Sequence, residues 1–168
     1  MRFPVIAATL LAAGLALAGC SSSSSSTRAD AKRAAMKHTI TASNVLAQIT
    51  ATVTTSKLSG TVTAANDPNH LLGRPGQYMS KVTFTDSRIK AADVDGTKVG
   101  DVERGGAVEV FADPAGAEAR AKYIQAIGKS MPVFAEYDYV HGAVLVRVSH
   151  YLTPTQAAGY KTATSGLG

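Results

Sequence analysis

Residues 136–149 read EYDYVHGAVLVRVS, and this stretch decides the fold. Two runs rich in β-branched and aromatic residues flank a central His-Gly pair at positions 141–142. A two-residue connection with glycine second is typical of a tight antiparallel hairpin. We therefore expect strands over residues 133–140 and 143–149, joined by that turn.

The two strands of this hairpin predict their own pairing. With His-Gly as the turn, Tyr139 pairs with Val144 on one face, where apolar side chains collect. On the other face Glu136 pairs with Arg147, and an opposite-charge pair across two strands stabilises a hairpin by roughly 0.2–1 kcal/mol. A slip of one residue would send every side chain to the wrong face.

Further elements follow on both sides of the hairpin. An apolar stripe at helical spacing predicts a helix over residues 43–51 with Ser43 as its cap. Asp113 before Pro114 predicts a helix start, and Gly128 is placed to end that helix. Thr153-Pro154-Thr155-Gln156 has the spacing of a capping box before a last helix. Alternation of side-chain type predicts three more strands, over residues 58–64, 78–85 and 107–111.

The resulting order is α-β-β-β-α-β-β-α. It indicates an α+β fold, a two-layer sandwich with a largely antiparallel sheet and helices on one face. In residues 78–85 Val82 and Phe84 alternate with Lys81 and Thr83, which predicts that the opposite face of the sheet is wet.

The N-terminus differs in composition from this domain. A short charged start, an apolar run over residues 5–18 and small residues at 18–19 are typical of a secretory signal peptide. The run is shorter than the roughly 20 residues of a membrane span. Cys20, the single cysteine of the 168-residue chain, follows at once, and six serines at 21–26 form a tether.

Four regions are therefore expected. Residues 1–19 are a signal peptide, and residues 20–42 are the cysteine, the serine tether and a marginal helix. Residues 43–164 form a single α+β domain, and residues 165–168 form a disordered tail.

The run Leu17-Ala18-Gly19-Cys20 resembles the lipobox of bacterial lipoproteins. The resemblance implies a diacylglyceryl group on the Cys20 sulfur and cleavage before that residue. Two acyl chains anchor a protein stably, whereas one chain binds only marginally. The expected partner is then the lipid membrane, and the expected location is the extracytoplasmic face of the cell membrane.

A second resemblance covers most of residues 43–163. The stretch DPNHLLGRPGQY at 67–78, the segment 108–125 and the hairpin at 136–149 look like small secreted lipoproteins of actinobacteria. To our knowledge that family has no assigned activity, so the resemblance implies envelope location and adds no reaction.

One loop has the side chains of a ligand site. Within residues 67–78 we single out five candidate ligand-binding residues, whose donors and acceptors suit an anionic or sugar-like ligand: Asp67, Asn69, His70, Arg74 and Tyr78. The alternative is that Arg74 and Tyr78 bond the carbonyls of their own loop while proline and glycine set its turns.

The sequence contains no motif typical of a nucleophilic, zinc or calcium site. No Gly-x-Ser-x-Gly elbow is present, and no histidine spacing matches a zinc motif. Aspartates in the long polar loop 91–106 lack the spacing and the closing glutamate of a calcium loop. We expect no catalytic residue, no metal and no cofactor. A net charge of +5 without interleaved aromatic and basic residues also argues against a nucleic-acid partner.

The sequence thus predicts a membrane-anchored envelope lipoprotein with a non-enzymatic binding or interaction domain. It does not identify the ligand or protein partner. One alternative is an envelope hydrolase whose site is built from loops 65–78 and 91–106. Another is a carrier of a small ligand or lipid, which requires an internal apolar cavity.

Overall fold

The computed structural model describes residues 40–168. They form a five-stranded antiparallel sheet and three α-helices, which confirms the α+β fold. The predicted signal peptide, Cys20, the serine tether and the marginal helix up to residue 39 lie outside the described residues. The elements are α1 (Ala42–Thr52), β1 (Ser56–Thr61), β2 (Ser80–Asp86), β3 (Gly105–Val110), α2 (Pro114–Ser130), β4 (Glu136–His141), β5 (Val144–Ser149) and α3 (Pro154–Ser165). The strand order is β1-β2-β3-β5-β4.

The predicted caps of the two later helices are confirmed. The Asp113 carboxylate accepts the backbone N–H of Gly116, and the side chain and backbone of Thr153 bond reciprocally with Gln156. The prediction for α1 was wrong, because Thr41 rather than Ser43 is the cap. Serine and threonine are both preferred N-cap residues, so residue type alone did not identify the cap.

Gly128 does not end α2, which continues to Ser130. A Cβ on Gly128 would lie 3.1 Å from the Cα of Ala135, so this glycine allows the helix to approach the chain that enters β4. That chain is a short 3₁₀ turn, Pro132–Phe134, which delays the start of β4 relative to the prediction. The predicted loop 91–106 also contains two 3₁₀ turns, Ala91–Val94 and Val102–Arg104.

The hairpin forms, but its predicted register was wrong by two residues. Tyr139 lies opposite Val146, and His141 lies opposite Val144, so the turn is Gly142-Ala143. Gly142 has φ +53°, which a tight hairpin turn requires at its first central position. A shift of two preserves the face of every side chain, because strands repeat every two residues.

One face of the sheet carries the main core. Buried valines of the three strands β2, β3 and β5 face α1 and α3 there, together with Phe84. The ring of Tyr160 stacks on Phe84 at a centroid distance of 5.3 Å, as expected of a residue facing the sheet. Leu167, beyond the last helix, packs against the same core.

Helix α2 lies on the other face, so helices cover both faces of the sheet rather than one. Its small side chains Ala117 and Ala121 pack with Ile124 against Leu145. Lys81, expected to be wet, is only 6% exposed. Alternation marked the polar side of β2 correctly, but ion pairs allow those polar groups to be buried.

Candidate functional site

The loop that precedes β2 is organised around one buried carboxylate. Asp67 is 1% exposed and accepts hydrogen bonds from three backbone N–H groups, those of Asn69, Leu71 and Leu72. The Tyr78 hydroxyl donates to the same carboxylate at 2.8 Å. Asp67 and Tyr78 therefore stabilise the loop from within.

The electrostatics of the pair agree with that role. Burial raises the pKa of Asp67, but the hydrogen bonds from Tyr78 and the backbone outweigh it and lower the pKa to about 2. Burial and the neighbouring carboxylate raise the pKa of Tyr78 above its ordinary value. The carboxylate is thus ionised and the phenol neutral at every physiological pH.

The five candidate ligand residues do not form one site. Asp67 and Tyr78 are buried together, whereas Asn69, His70 and Arg74 are exposed. His70 adopts φ +51°, so it belongs to the turn of the loop. Asn69 alone lies at the groove described next.

An open groove of about 780 Å³ lies on the α2 side of the sheet. We call it the α2 groove. Its walls are α2, the segment that enters β4, the end of β5 and parts of both long loops. From these loops they include residues 100–103 and Pro68, Asn69, Leu71, Gly76 and Gln77. The two loops considered from the sequence therefore do border a common space, together with a helix that the sequence analysis did not connect to them.

Charged side chains form the floor of the α2 groove, and the carboxylate that joins the cations lies beneath it. Glu109, fully buried on β3, lies 2.9 Å from the ammonium of Lys81 and 3.2 Å from guanidinium nitrogens of both Arg120 and Arg147. Burial raises the pKa of Glu109, but the three cations outweigh it and hold the pKa below its ordinary value. Arg147 also pairs with Glu136, at 2.6 Å.

This floor corrects one prediction and extends another. The apolar stripe of α2 in the sequence predicts that Arg120, on the opposite side of the helix, faces water, yet its Nε–H donates to Glu109. The predicted ion pair of Glu136 and Arg147 forms, although Arg147 lies directly opposite Asp138. Long side chains reach diagonal neighbours across a pair of strands, so the contact survives the shifted register.

Asp138 lies beside this network without joining it. Within the described residues, neither of its buried carboxylate oxygens has a hydrogen-bond partner. Burial, and then the nearby charge of Glu136, raise its pKa to about 8. The ion pairs of the floor therefore join three cations, Lys81, Arg120 and Arg147, to the carboxylates of Glu109 and Glu136.

One wall of the α2 groove is apolar. Tyr123 and Phe134 are 60% and 51% exposed, and Ile127 lies between them in sequence on the same wall. The guanidinium of Arg120 lies 5.7 Å from the Tyr123 ring centre, a cation–π distance. Aromatic surface and guanidinium are therefore adjacent.

Within the described residues, no hydrogen bond joins the side chains of Ser149 and His150, the serine and histidine that line the α2 groove. Ser149 donates its hydroxyl to the carbonyl of Glu103 at 2.7 Å, and Nδ1 of His150 lies 2.8 Å from the carbonyl of Ala135. Both bonds tie strand ends to loops. A nucleophilic site instead needs the base bonded to the nucleophile.

The sequence held one usable signal for the floor. Glu109 interrupts the apolar run Ala107-Val108 and Val110-Phe111, and a carboxylate in a buried strand needs cationic partners. The sequence did not show which cations pair with Glu109, because Lys81, Arg120 and Arg147 come from three separate elements, β2, α2 and β5.

Among residues 40–168, no group of three His, Cys, Asp or Glu side chains is placed to hold a metal ion. None of the helices in this part of the chain has the length and apolar character needed to cross a membrane. Comparison of the chain with protein-family models, curated proteins and solved structures gave no match.

Proposed function

We propose that this protein is a lipid-anchored binding protein of the cell envelope. Acylated Cys20 holds it at the extracytoplasmic face of the membrane, and the domain binds a ligand in the α2 groove. The anchor rests on the sequence alone, on the run from Leu17 to Cys20 and the serine tether after it. The observation that carries the binding role is the groove itself.

The groove has the properties of a ligand site. Its volume of about 780 Å³ lies within the roughly 300–1,000 Å³ typical of such sites. Apolar and aromatic side chains with a few fixed polar groups line it, and this combination supplies affinity and orientation. The ion pairs to Glu109 hold the polar groups in place before any ligand arrives.

Binding is favoured over the two alternatives. A hydrolase needs a nucleophile activated by a base, and the Ser149 hydroxyl at the groove donates to the carbonyl of Glu103 and not to His150. A lipid carrier needs an enclosed apolar cavity, whereas this groove is open and its floor is charged.

Photocrosslinking in intact cells tests the proposal. A benzophenone amino acid replaces Tyr123 in the groove or, as the control, Leu58 on β1, which is 50% exposed. We expect a discrete adduct of altered mass from position 123 and none from position 58. Adducts that are equal at both positions, or absent from position 123, would contradict a binding role for the groove.

A further inference from the structure

Resting on this binding role, we propose that the ligand is a short peptide. Its free carboxylate binds Arg120 on the groove floor, and a cationic group of the peptide faces Asp101 and Glu103 at the rim. The charge pattern, the apolar wall and the open shape of the groove each contribute one step.

The floor offers a site for one carboxylate. Within residues 40–168, Arg120 donates a side-chain hydrogen bond only through Nε, so its two terminal nitrogens have no protein acceptor. Those nitrogens form a planar fork that matches a carboxylate in a bidentate pair. Among residues 40–168, Arg120 forms an ion pair with Glu109 alone, through Nε, so the fork can bind one further anion.

The rim has the opposite sign. Asp101 and Glu103 line the same groove from the long loop, and neither carboxylate forms an ion pair within the described part of the chain. A ligand that carried only negative charge would be repelled there. A ligand with an anionic end and a cationic group complements both the floor and the rim.

The space between the two ends suits a peptide. Tyr123, Ile127 and Phe134 supply an apolar wall for a side chain. The amides of Asn69 and Gln77 also line the groove and can bond a peptide backbone. An acyl chain would leave these amides and the charged rim without partners, so the lining favours a peptide over a lipid.

Isothermal titration calorimetry of the full chain, purified from the expressing cells, tests this with defined peptides. The probe is Lys-Gly-Ala-Leu with a free C-terminus and an acetylated N-terminus. A second peptide has the same sequence with an amidated C-terminus, which removes the negative charge. A third has glutamine in place of lysine, which removes the positive charge. We expect each change to weaken binding at least tenfold, and the acid to lose affinity as salt is raised.

Protein variants locate the two contacts. R120K keeps a charge near Glu109 but loses the planar fork, so it should erase most of the difference between acid and amide peptides. E103Q should erase most of the difference between lysine and glutamine peptides. K122Q, an exposed position on the same helix outside the groove, is the matched control and should behave as the unaltered chain.

Acid and amide peptides that bind the unaltered chain within twofold of each other would overturn the inference, and so would the absence of binding by every peptide. These comparisons change only the ligand, so they do not depend on how a variant folds. If position 123 gives its crosslinked adduct while the peptides fail, the groove binds something else and the proposed function stands without the inference.

Discussion

The hydroxyl of Tyr160 on α3 donates a 2.6 Å hydrogen bond to Oδ2 of Asp86 at the end of β2, across 74 residues of chain. Arg88 and Thr55 donate to the same buried carboxylate. Burial raises the pKa of Asp86, but these bonds outweigh it and lower the pKa. One carboxylate therefore fastens the last helix to the sheet.

Removal of that hydroxyl should weaken the whole domain. We expect Y160F to lower the free energy of unfolding by about 1–3 kcal/mol, because a bond to a buried charged group is lost. Urea unfolding followed by circular dichroism measures the effect. Y151F is the control, since Tyr151 is 42% exposed, and it should change stability by less than about 0.5 kcal/mol. Equal effects of the two variants would contradict the role of Asp86.

The buried carboxylate of Asp67 should make stability depend on acid pH. Its pKa is about 2 in the folded protein against 3.8 for the ordinary group, so the unfolded chain binds more protons between these values. The stabilisation is fully present above pH 3.8 and is lost as the pH falls through about 2.

We therefore expect D67N to destabilise the protein by about 1–3 kcal/mol at pH 5 and by less at pH 2.5. Urea midpoints at the two pH values measure this. D93N, at an exposed position, is the control and should show no such difference. A cost of D67N that is the same at both values would refute the assignment.

Asp138 should make the protein less stable as the pH rises, which is opposite to the effect of Asp67. Its folded pKa of about 8 exceeds the ordinary 3.8, so the folded protein binds more protons than the unfolded chain between these values. Stability should consequently fall as the pH rises from about 4 towards 8. Glu136, Arg147 and Glu109 are the charged groups that act on it.

Replacement of Asp138 by asparagine removes the ionisation, so the unfolding free energy of D138N should change less between pH 5 and pH 8 than that of the unaltered chain. Thermal or urea unfolding at both values tests this. E118Q, on the exposed side of α2, should retain the full slope. A slope that persists in D138N would place the titrating group elsewhere.

Gly106 should tolerate no side chain. A Cβ at this position would overlap the carbonyl oxygen of Arg147 and the ring of Phe84. We expect G106A to cost about 1–3 kcal/mol or more, because neither the β5 backbone nor a core ring has room to move. G168A, where a Cβ meets nothing within 4 Å, is the control in the same unfolding assay. A G106A variant as stable as the control would show that the strands separate easily.

The anchor prediction concerns Cys20. C20S removes the sulfur that would carry the diacylglyceryl group, so incorporation of radiolabelled palmitate should disappear and the protein should be released or remain unprocessed. S22A, in the tether, is the matched control and should label normally. Undiminished labelling of C20S would exclude lipid attachment at this cysteine.

Local sequence patterns predicted much of the fold. The Asp113 and Thr153 caps, the element order and the face of each hairpin side chain follow from short-range rules, because caps and strand alternation involve neighbours in the chain. The hairpin register was missed, since Gly142 suits either of two adjacent turn positions and both place the same residues on the same face.

Short-range sequence patterns could not predict the α2 groove. Its floor joins Lys81, Glu109, Arg120 and Arg147, which lie on four elements, and no spacing in the chain records that they meet. The Asp67 loop was singled out as a ligand site because its side chains are polar, whereas two of them bond each other in the interior.

The sequence by itself determined the α+β class, the starts of α2 and α3 and the pattern on which the lipid anchor is proposed, because each depends on a short run of residues. Only the tertiary structure decided that α2 covers the second face of the sheet and that Glu109 gathers three cations beneath an open groove. The physical reason is that a buried carboxylate needs positive partners, and their identity depends on which strands and helices pack together.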